Sequence, residues 1–437
     1  MKLTLSSNRR HFLMDGKPFF WLGDTAWLLF QKLSFEEALV YLDNRAAKGF
    51  TVIQATLVHT AQYTNPAGSP ALLEDDFARP NPDSDESSYW PQVRRIVDAA
   101  AARGMMMALL PSWGCFVKNG QLHGEKIDRY TDFLAATFGG CENVLWLVGG
   151  DVRGSAAPEE FHRLGCCLRQ KCPQHLIGYH PFGRCSSSMW FHDASWLDFN
   201  MFQSGHRRYD QVKLNTWDDR IAAETCYGED NYRYVQHDYA LSPTKPVLDG
   251  EPSYERIPQG LHDPSQPYWQ DSDIRRYAYW SLLAGACGFT YGSNAIMQFW
   301  RGVEEGSYGV RETWQDALHN PGSMQMTHVR SLMEAIAWQD GVPAQDCLVD
   351  NSGEKYDYNL ALLTPRALCI YTHTGKPFAV NTTLLPAPLY GWWFDPVSGG
   401  RSCFGPVHCE ARVLFTPPDR HSAPNDWVLL LTPEASL

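Results

Sequence analysis

Several absences narrow the reading before any motif is found. The chain has twelve cysteines but no Cys-x-x-Cys pair, and Cys166 and Cys167 are adjacent, which is poor geometry for a bridge framework. Reduced thiols are therefore expected, with a Cys403–Cys409 bridge as the alternative in an oxidising setting. No uninterrupted apolar run approaches 18 residues, so no membrane-spanning helix is expected. The opening Met1-Lys2-Leu3-Thr4-Leu5-Ser6-Ser7-Asn8-Arg9-Arg10 lacks the apolar core of a secretory signal, and a cytoplasmic location is the expectation. There is no His-x-His, no His-Glu-x-x-His and no compact Cys/His cluster, so no catalytic metal is expected. Neither a phosphate loop of the Gly-x-x-x-x-Gly-Lys-Ser/Thr type nor a Gly-rich dinucleotide fingerprint occurs, and no nucleotide cofactor is expected. A Gly-x-Ser-x-Gly nucleophile elbow is missing too. Positive charge is in deficit, 37 Lys+Arg against 49 Asp+Glu for a net charge of −12. That argues against a nucleic-acid partner and gives no attraction to an anionic membrane surface.

What is present describes a folded, aromatic-rich protein. Of 437 residues, 44% are hydrophobic and 20% charged, and sixteen are tryptophan. Short apolar runs alternate with helical patterns. Strands are predicted at Phe19–Gly23, Thr51–Leu57, Met105–Pro111, Val144–Val148, Leu176–Tyr179, Leu197–Phe202, Pro246–Leu248 and Gly288–Tyr291. Helices are predicted between most of them, one opened by Ser34 and Glu37 at capping-box spacing. Only a short, irregular helix candidate around Ser188–Ser195 fills the fifth unit. Eight such alternations over residues 15–340 predict a (β/α)₈ TIM barrel, with strands apolar throughout because both faces are buried. After Gly341-Val342-Pro343 the pattern changes to short β-stretches, from Leu360–Leu363 to Trp427–Leu431, separated by Gly, Pro and Asn turns. Two domains are thus expected: a barrel over 1–341 and a small all-β sandwich over 342–437.

Barrel enzymes place their chemistry at the C-terminal ends of the strands. In order, the predicted strand ends deliver Asp24 and Trp27, His59, Trp113, Asp151, His180, Gln203 with His206, Asp249 with Glu251, and Tyr291. Asp151 and Glu251 are 100 residues apart, three units at roughly 31 residues each in a barrel of about 250. Strands four and seven face one another across such a barrel, so the two carboxyls can flank a bond in a substrate over its mouth. Glycoside hydrolysis needs that pair: an acid for the leaving oxygen and a carboxylate at the anomeric carbon. Each residue also has a structural alternative. Asp151 could cap the helix near Pro158, and Glu251 could pair with Arg256 or Arg301. Asp24 divides evenly between a cap and a sugar-hydroxyl contact. His59, His180 and His206 together favour hydrogen bonds to a substrate. Trp27, Trp113 and Trp300 lie just past strand ends and suit the apolar faces of sugar rings, whereas Trp280 and Trp338 fall inside helical stretches and read as core.

Three stretches look familiar together. They are Asp15-Gly16-Lys17-Pro18-Phe19-Phe20-Trp21-Leu22-Gly23-Asp24-Thr25-Ala26-Trp27, then Leu145-Trp146-Leu147-Val148-Gly149-Gly150-Asp151, then Lys245-Pro246-Val247-Leu248-Asp249-Gly250-Glu251-Pro252 with Tyr254-Glu255. They resemble the apiosidase-like (β/α)₈ family of glycoside hydrolases. The tail, Trp392-Trp393-Phe394-Asp395-Pro396 with Asp426-Trp427-Val428-Leu429, resembles the β-domain that commonly follows that barrel and carries a collagen-binding label. The resemblance spans nearly the whole chain. It implies a retaining glycosidase with Asp151 as acid/base and Glu251 as nucleophile, and activity on apiosyl linkages of a pectin, rhamnogalacturonan II. The partner expected is an oligosaccharide. The alternatives are an endoglucanase-like β-glycosidase on the same barrel and a catalytically silent carbohydrate-binding protein.

Overall fold

A computed structural model describes residues 1–60, 62–211, 227–350, 352–421 and 423–435. Its frame is eight parallel strands: β1 (Trp21–Thr25), β2 (Val52–Thr56), β3 (Met106–Leu110), β4 (Val144–Gly149), β5 (Ile177–His180), β6 (Asn200–Gln203), β7 (Val247–Asp249) and β8 (Gly288–Tyr291). Each lies within three residues of a strand expected from sequence. They pair in the order β5-β4-β3-β2-β1-β8-β7-β6, and the sheet curls on itself. The expected closed barrel needs correction at one seam. A ninth short strand, Cys185–Ser186, runs antiparallel to β6 and takes the edge that β5 would need. Asp198 joins β5 to the approach of β6: its N–H donates to the Ile177 carbonyl and its Oδ2 accepts the Ile177 N–H, each at 2.8 Å. The helical turn in this unit is only Ser188–Phe191, so the weakest stretch of the sequence pattern is where the ladder stays open.

Alternation along the strands separates two environments. Trp21, Val52, Met106, Ala108, Leu110, Leu145, Leu147, Met201 and Leu248 fill the interior of the curl. Their neighbours Leu22, Ile53, Met107, Leu109, Trp146, Val148, Tyr179, Phe202 and Phe289 face outward, against the helices. Both faces are thus apolar, which is why these strands read as continuous runs. An N-terminal antiparallel sheet of Leu3–Leu5, Phe12–Met14 and Lys17–Phe19 covers the bottom. Phe12 packs 5.7 Å from Trp21 and edge-on to Phe199 at 5.3 Å. The interior is therefore plugged from below among the described residues, which leaves the C-terminal rim for a ligand.

The helix Phe35–Ala47 starts on the expected capping box. Ser34 N–H donates to Glu37 Oε2 at 2.9 Å, and Glu37 N–H donates to Ser34 Oγ at 3.3 Å. From Val342 the chain is all-β. One sheet has six strands, in the order Val342–Pro343, Leu360–Leu363, Leu368–Thr372, Trp427–Thr432, Leu389–Phe394 and Arg401–Val407. A three-stranded sheet (Leu348–Val349, Phe378–Val380, Val413–Phe415) packs against it. Arg401–Val407 has no counterpart among the expected strands, because its mostly exposed residues carry no apolar alternation. In Leu368–Thr372, Leu368 and Ile370 face the three-stranded sheet, while Cys369 and Tyr371 face the barrel helices Asp271–Leu283 and Pro321–Ala335. The six-stranded sheet is sandwiched on both sides, so the two regions share a core.

Candidate active site

The rim carries a cavity of about 310 Å³ whose wall includes both Asp151 and Glu251. Asp151 follows two glycines, and all three residues have left-handed backbones, with φ of 94° at Gly149, 109° at Gly150 and 57° at Asp151. A Cβ at Gly149 would meet the His180 carbonyl at 2.4 Å, and one at Gly150 would meet Gly114 N at 2.9 Å. The tight double-glycine exit from β4 therefore needs glycine on both counts. It turns the Asp151 carboxyl over the mouth.

Glu251 leaves β7 in a different setting. His206 Nε2 lies 3.2 Å from its Oε1, and His180 Nε2 lies 3.1 Å from its Oε2, somewhat off the line of a hydrogen bond. The Asp151 N–H donates to His180 Nδ1 at 3.4 Å, a bond that leaves the His180 proton on Nε2, facing Glu251. The Tyr254 hydroxyl, which accepts from Trp27 Nε1 at 2.9 Å, is held high by burial and by the charge of Glu251 beside it. Three side chains thus gather at one carboxylate, the histidines from β5 and β6 and Tyr254 from its own loop, with Trp27 holding the tyrosine.

These surroundings drive the two acids apart. Burial raises Asp151, and the charge of Glu251 raises it further, to about 6. Burial opposes ionisation of Glu251 as well, but the two imidazoles that face its oxygens, His180 and His206, outweigh it and hold the carboxyl at about 2. Gln203 hydrogen-bonds to Asp151 and partly offsets its rise. A pair in which one carboxyl keeps its proton towards neutrality while the other is ionised supplies an acid and a nucleophile together.

The walls are aromatic. Trp27 and Trp113 meet edge-on at 5.5 Å, and His59 lies 4.7 Å from Trp113, its imidazole depressed to about 4 by burial. Tyr308 also lines the cavity, on a left-handed residue (φ 52°), with 37% of its surface open. Its neighbour Ser307 exchanges hydrogen bonds with Gln298, and its own carbonyl accepts from Asn294 Nδ2 at 2.9 Å, so the turn is fixed. Burial and the two carboxylates together push the Tyr308 phenol up to about 12. Among the described residues no group of three His, Cys, Asp or Glu side chains is placed to hold a metal ion.

A family model described as "Apiosidase-like, catalytic domain" matches residues 6–340. The chain belongs to the apiosidase-like family of glycoside hydrolases. Residues 342–432 of the apiosidase-like chain match a second model, described as "Putative collagen-binding domain of a collagenase". A solved structure titled "Glycoside hydrolase" is 36% identical, with a TM-score of 0.94 over 100% of this chain and 98% of its own. A glycoside hydrolase family 5 structure from Bacteroides vulgatus is 35% identical, with a TM-score of 0.93 over 99% of this chain and 93% of its own. A family 5 mannosidase from Rhizomucor miehei shares the fold alone, at 10% identity and a TM-score of 0.52, over 76% of this chain and 98% of its own. No curated protein matches.

Seven of the residues singled out from sequence line the apiosidase-like cavity: Trp27, His59, Trp113, Asp151, Gln203, His206 and Glu251. Asp151 caps no helix, and Arg301 pairs with Glu37, leaving Glu251 to its histidines. His180 is fully buried behind Glu251, so it orients that carboxylate and does not meet a sugar hydroxyl. Four residues lie elsewhere. Asp24 points outward into a buried pair with Arg45 Nε (2.5 Å) and the Tyr41 hydroxyl (2.7 Å), serving neither as cap nor as sugar contact. Asp249 is buried against Ser204 and Asn231. Tyr291 donates to Glu255 Oε2 at 2.6 Å in the core. Trp300 folds over its own loop, donating to the Glu304 carbonyl at 2.8 Å. Tyr254 and Tyr308 were missed. Tyr254 stands within the third familiar stretch, whereas Tyr308 lies in a Gly-rich loop with no periodic signal.

Proposed function

We propose that the chain hydrolyses a glycosidic bond in pectin-type oligosaccharides by retaining double displacement, with an apiosidase-like preference. Glu251 attacks the anomeric carbon while protonated Asp151 gives its proton to the leaving oxygen. Water then cleaves the glycosyl–enzyme, with Asp151 as base. The observation that carries this reading is that Asp151 and Glu251 share one cavity wall in opposed surroundings, Asp151 buried beside the other carboxylate and raised by it, Glu251 faced by His180 and His206 and lowered by them. Trp27 and Trp113 supply flat apolar faces for a sugar ring. At about 310 Å³ the cavity is at the small end of ligand pockets, which favours release of a terminal sugar over gripping a long polymer. The free cysteines among the described residues, Cys403 and Cys409 included, suit a reducing cytoplasm supplied with imported oligosaccharides.

The test is reducing-end release from pectic, hemicellulosic and β-glucan oligosaccharides. Release from a pectic member is expected, with Glu251→Gln and Asp151→Asn each slower by about 10²–10⁴-fold. The anomer formed first, read by proton NMR, should keep the substrate's configuration. Near-wild-type turnover in either variant would overturn the catalytic assignment. An inverted first product would overturn double displacement.

A further inference from the structure

Just before the strand Leu360–Leu363, the all-β region reaches the loop that follows β6. Tyr356 donates its hydroxyl to Glu229 Oε1 at 2.8 Å. The same oxygen accepts the backbone N–H of Tyr209 at 2.9 Å, and Glu229 Oε2 accepts from Arg276 Nη2 at 2.7 Å. Glu229 and Arg276 are fully buried, and the Arg276 guanidinium lies 5.0 Å from the centre of the Tyr356 ring. That ring also meets Tyr209 edge-on at 5.3 Å. Two residues on, Tyr358 stacks on Tyr232 at 4.3 Å and 9°. The all-β region thus touches both described ends of the loop, at Tyr209 and at Glu229 to Tyr232.

The far anchor is equally firm. Arg275, next to Arg276 on the helix Asp271–Leu283, makes a bidentate pair with Asp426 of the all-β region, at 2.7 and 2.9 Å. One helix therefore holds the loop through one arginine and the all-β region through the next. On the cavity side, the His206 carbonyl accepts from Gly260 N at 2.8 Å and from Trp269 Nε1 at 3.2 Å. The arc from His206 to Tyr209 is hung between an anchor inside the barrel and one shared with the all-β region. Arg207, part of the cavity wall, lies in the middle of that arc.

We propose that the all-β region is a positioning element of the cavity: Tyr356, acting through Glu229 and the Tyr209 N–H, sets the wall at Arg207 and with it the affinity for substrate. A hydrogen bond to a buried carboxylate is among the strong ones, and removing its donor obliges the carboxylate and its other partners to shift. The effect on turnover rests on the glycosidase reading; the effect on the loop does not.

The test uses the full chain with Tyr356→Phe, which keeps the ring and removes the hydroxyl. Amide hydrogen exchange in peptides covering 204–211 and 227–231 should quicken by about tenfold, with β3 unchanged. KM should rise by about three- to tenfold while kcat stays within about twofold, the mark of lost ground-state positioning. Glu229→Gln should quicken the same two peptides. Unchanged exchange in both variants overturns the positioning, and faster exchange with an unchanged KM overturns its link to the cavity. A wild-type chain that cleaves no oligosaccharide would sink the glycosidase reading, while the exchange data would still decide the positioning.

Discussion

Asp249 and Glu251 stand two residues apart at the end of one strand, yet only the second reaches the cavity. Asp249 points outward, is held by Ser204 and Asn231, and is pushed up to about 7, chiefly by burial. Glu251 is buried as well, but two histidines hold it down at about 2. The same contrast separates Asp151 from Asp24, whose partners Arg45 and Tyr41 lie on the helix outside the barrel. A carboxylate at a strand end is therefore not yet a site residue. The direction of its side chain and the donors waiting for it decide its chemistry.

The largest effect expected from breaking this contrast is at Asp24. Its pair with Arg45 is fully buried, so Asp24→Ala leaves a buried guanidinium without its carboxylate. A loss of about 3–5 kcal/mol in urea unfolding is expected, with kcat of the folded fraction unchanged because no cavity group moves. A stability close to wild type would show that Arg45 is neutralised from elsewhere.

The strand ends also show how far the sequence could be read. Every barrel strand was legible as an apolar run, and seven cavity residues followed from the rule that barrel chemistry sits at C-terminal ends. Three of the four misplaced residues share one cause. Asp24 has the parity of outward Leu22, Asp249 that of outward Val247, and Tyr291 that of outward Phe289. Alternation carried to the last strand residue was thus enough to reject Asp24 and Asp249 once Trp21 and Leu248 were known to point inward, but it stops there, since Glu251 shares the parity of Asp249 and still reaches the cavity. A run apolar on both faces hides that direction, because nothing polar marks the inside. The open seam between β5 and β6 was hidden for another reason: it depends on the two-residue strand Cys185–Ser186, too short for any periodic signal. Trp300 failed locally, its indole satisfied four residues on by the Glu304 carbonyl.

A middle-sized effect sharpens the comparison at Asp249. Its folded pKa is raised to about 7, so between the ordinary carboxylate value and that point the folded chain keeps a proton the unfolded chain has lost. Wild-type stability should therefore fall as pH rises from about 4 to about 7. Asp249→Asn has no proton to lose. It should be more stable than wild type at pH 7 by on the order of 1–3 kcal/mol, converging with it near pH 4, with turnover little changed. Thermal unfolding across that range measures it, and a variant parallel to wild type at every pH would refute the buried protonated acid.

The smallest expected effect lies at His206. With Glu251 held at about 2 and Asp151 at about 6, wild-type kcat/KM should decline above pH 6 as the acid loses its proton, with no acid limb in the workable range. His206→Gln removes the imidazole whose Nε2 faces Glu251 Oε1 at 3.2 Å and which favours the ionised form of both carboxyls, so both should become harder to ionise. The basic limb should move up by about one pH unit and an acid limb should begin to emerge, since one unit corresponds to about 1.4 kcal/mol. The two carboxyls titrate as a pair, so the profile moves as a whole and neither limb alone reports His206. Asp249→Asn, two residues from Glu251 on its outward side, should leave that profile in place. If both variants shift it equally, the histidine contact is not what separates the two carboxylates, and the contrast must come from solvation of the cavity itself.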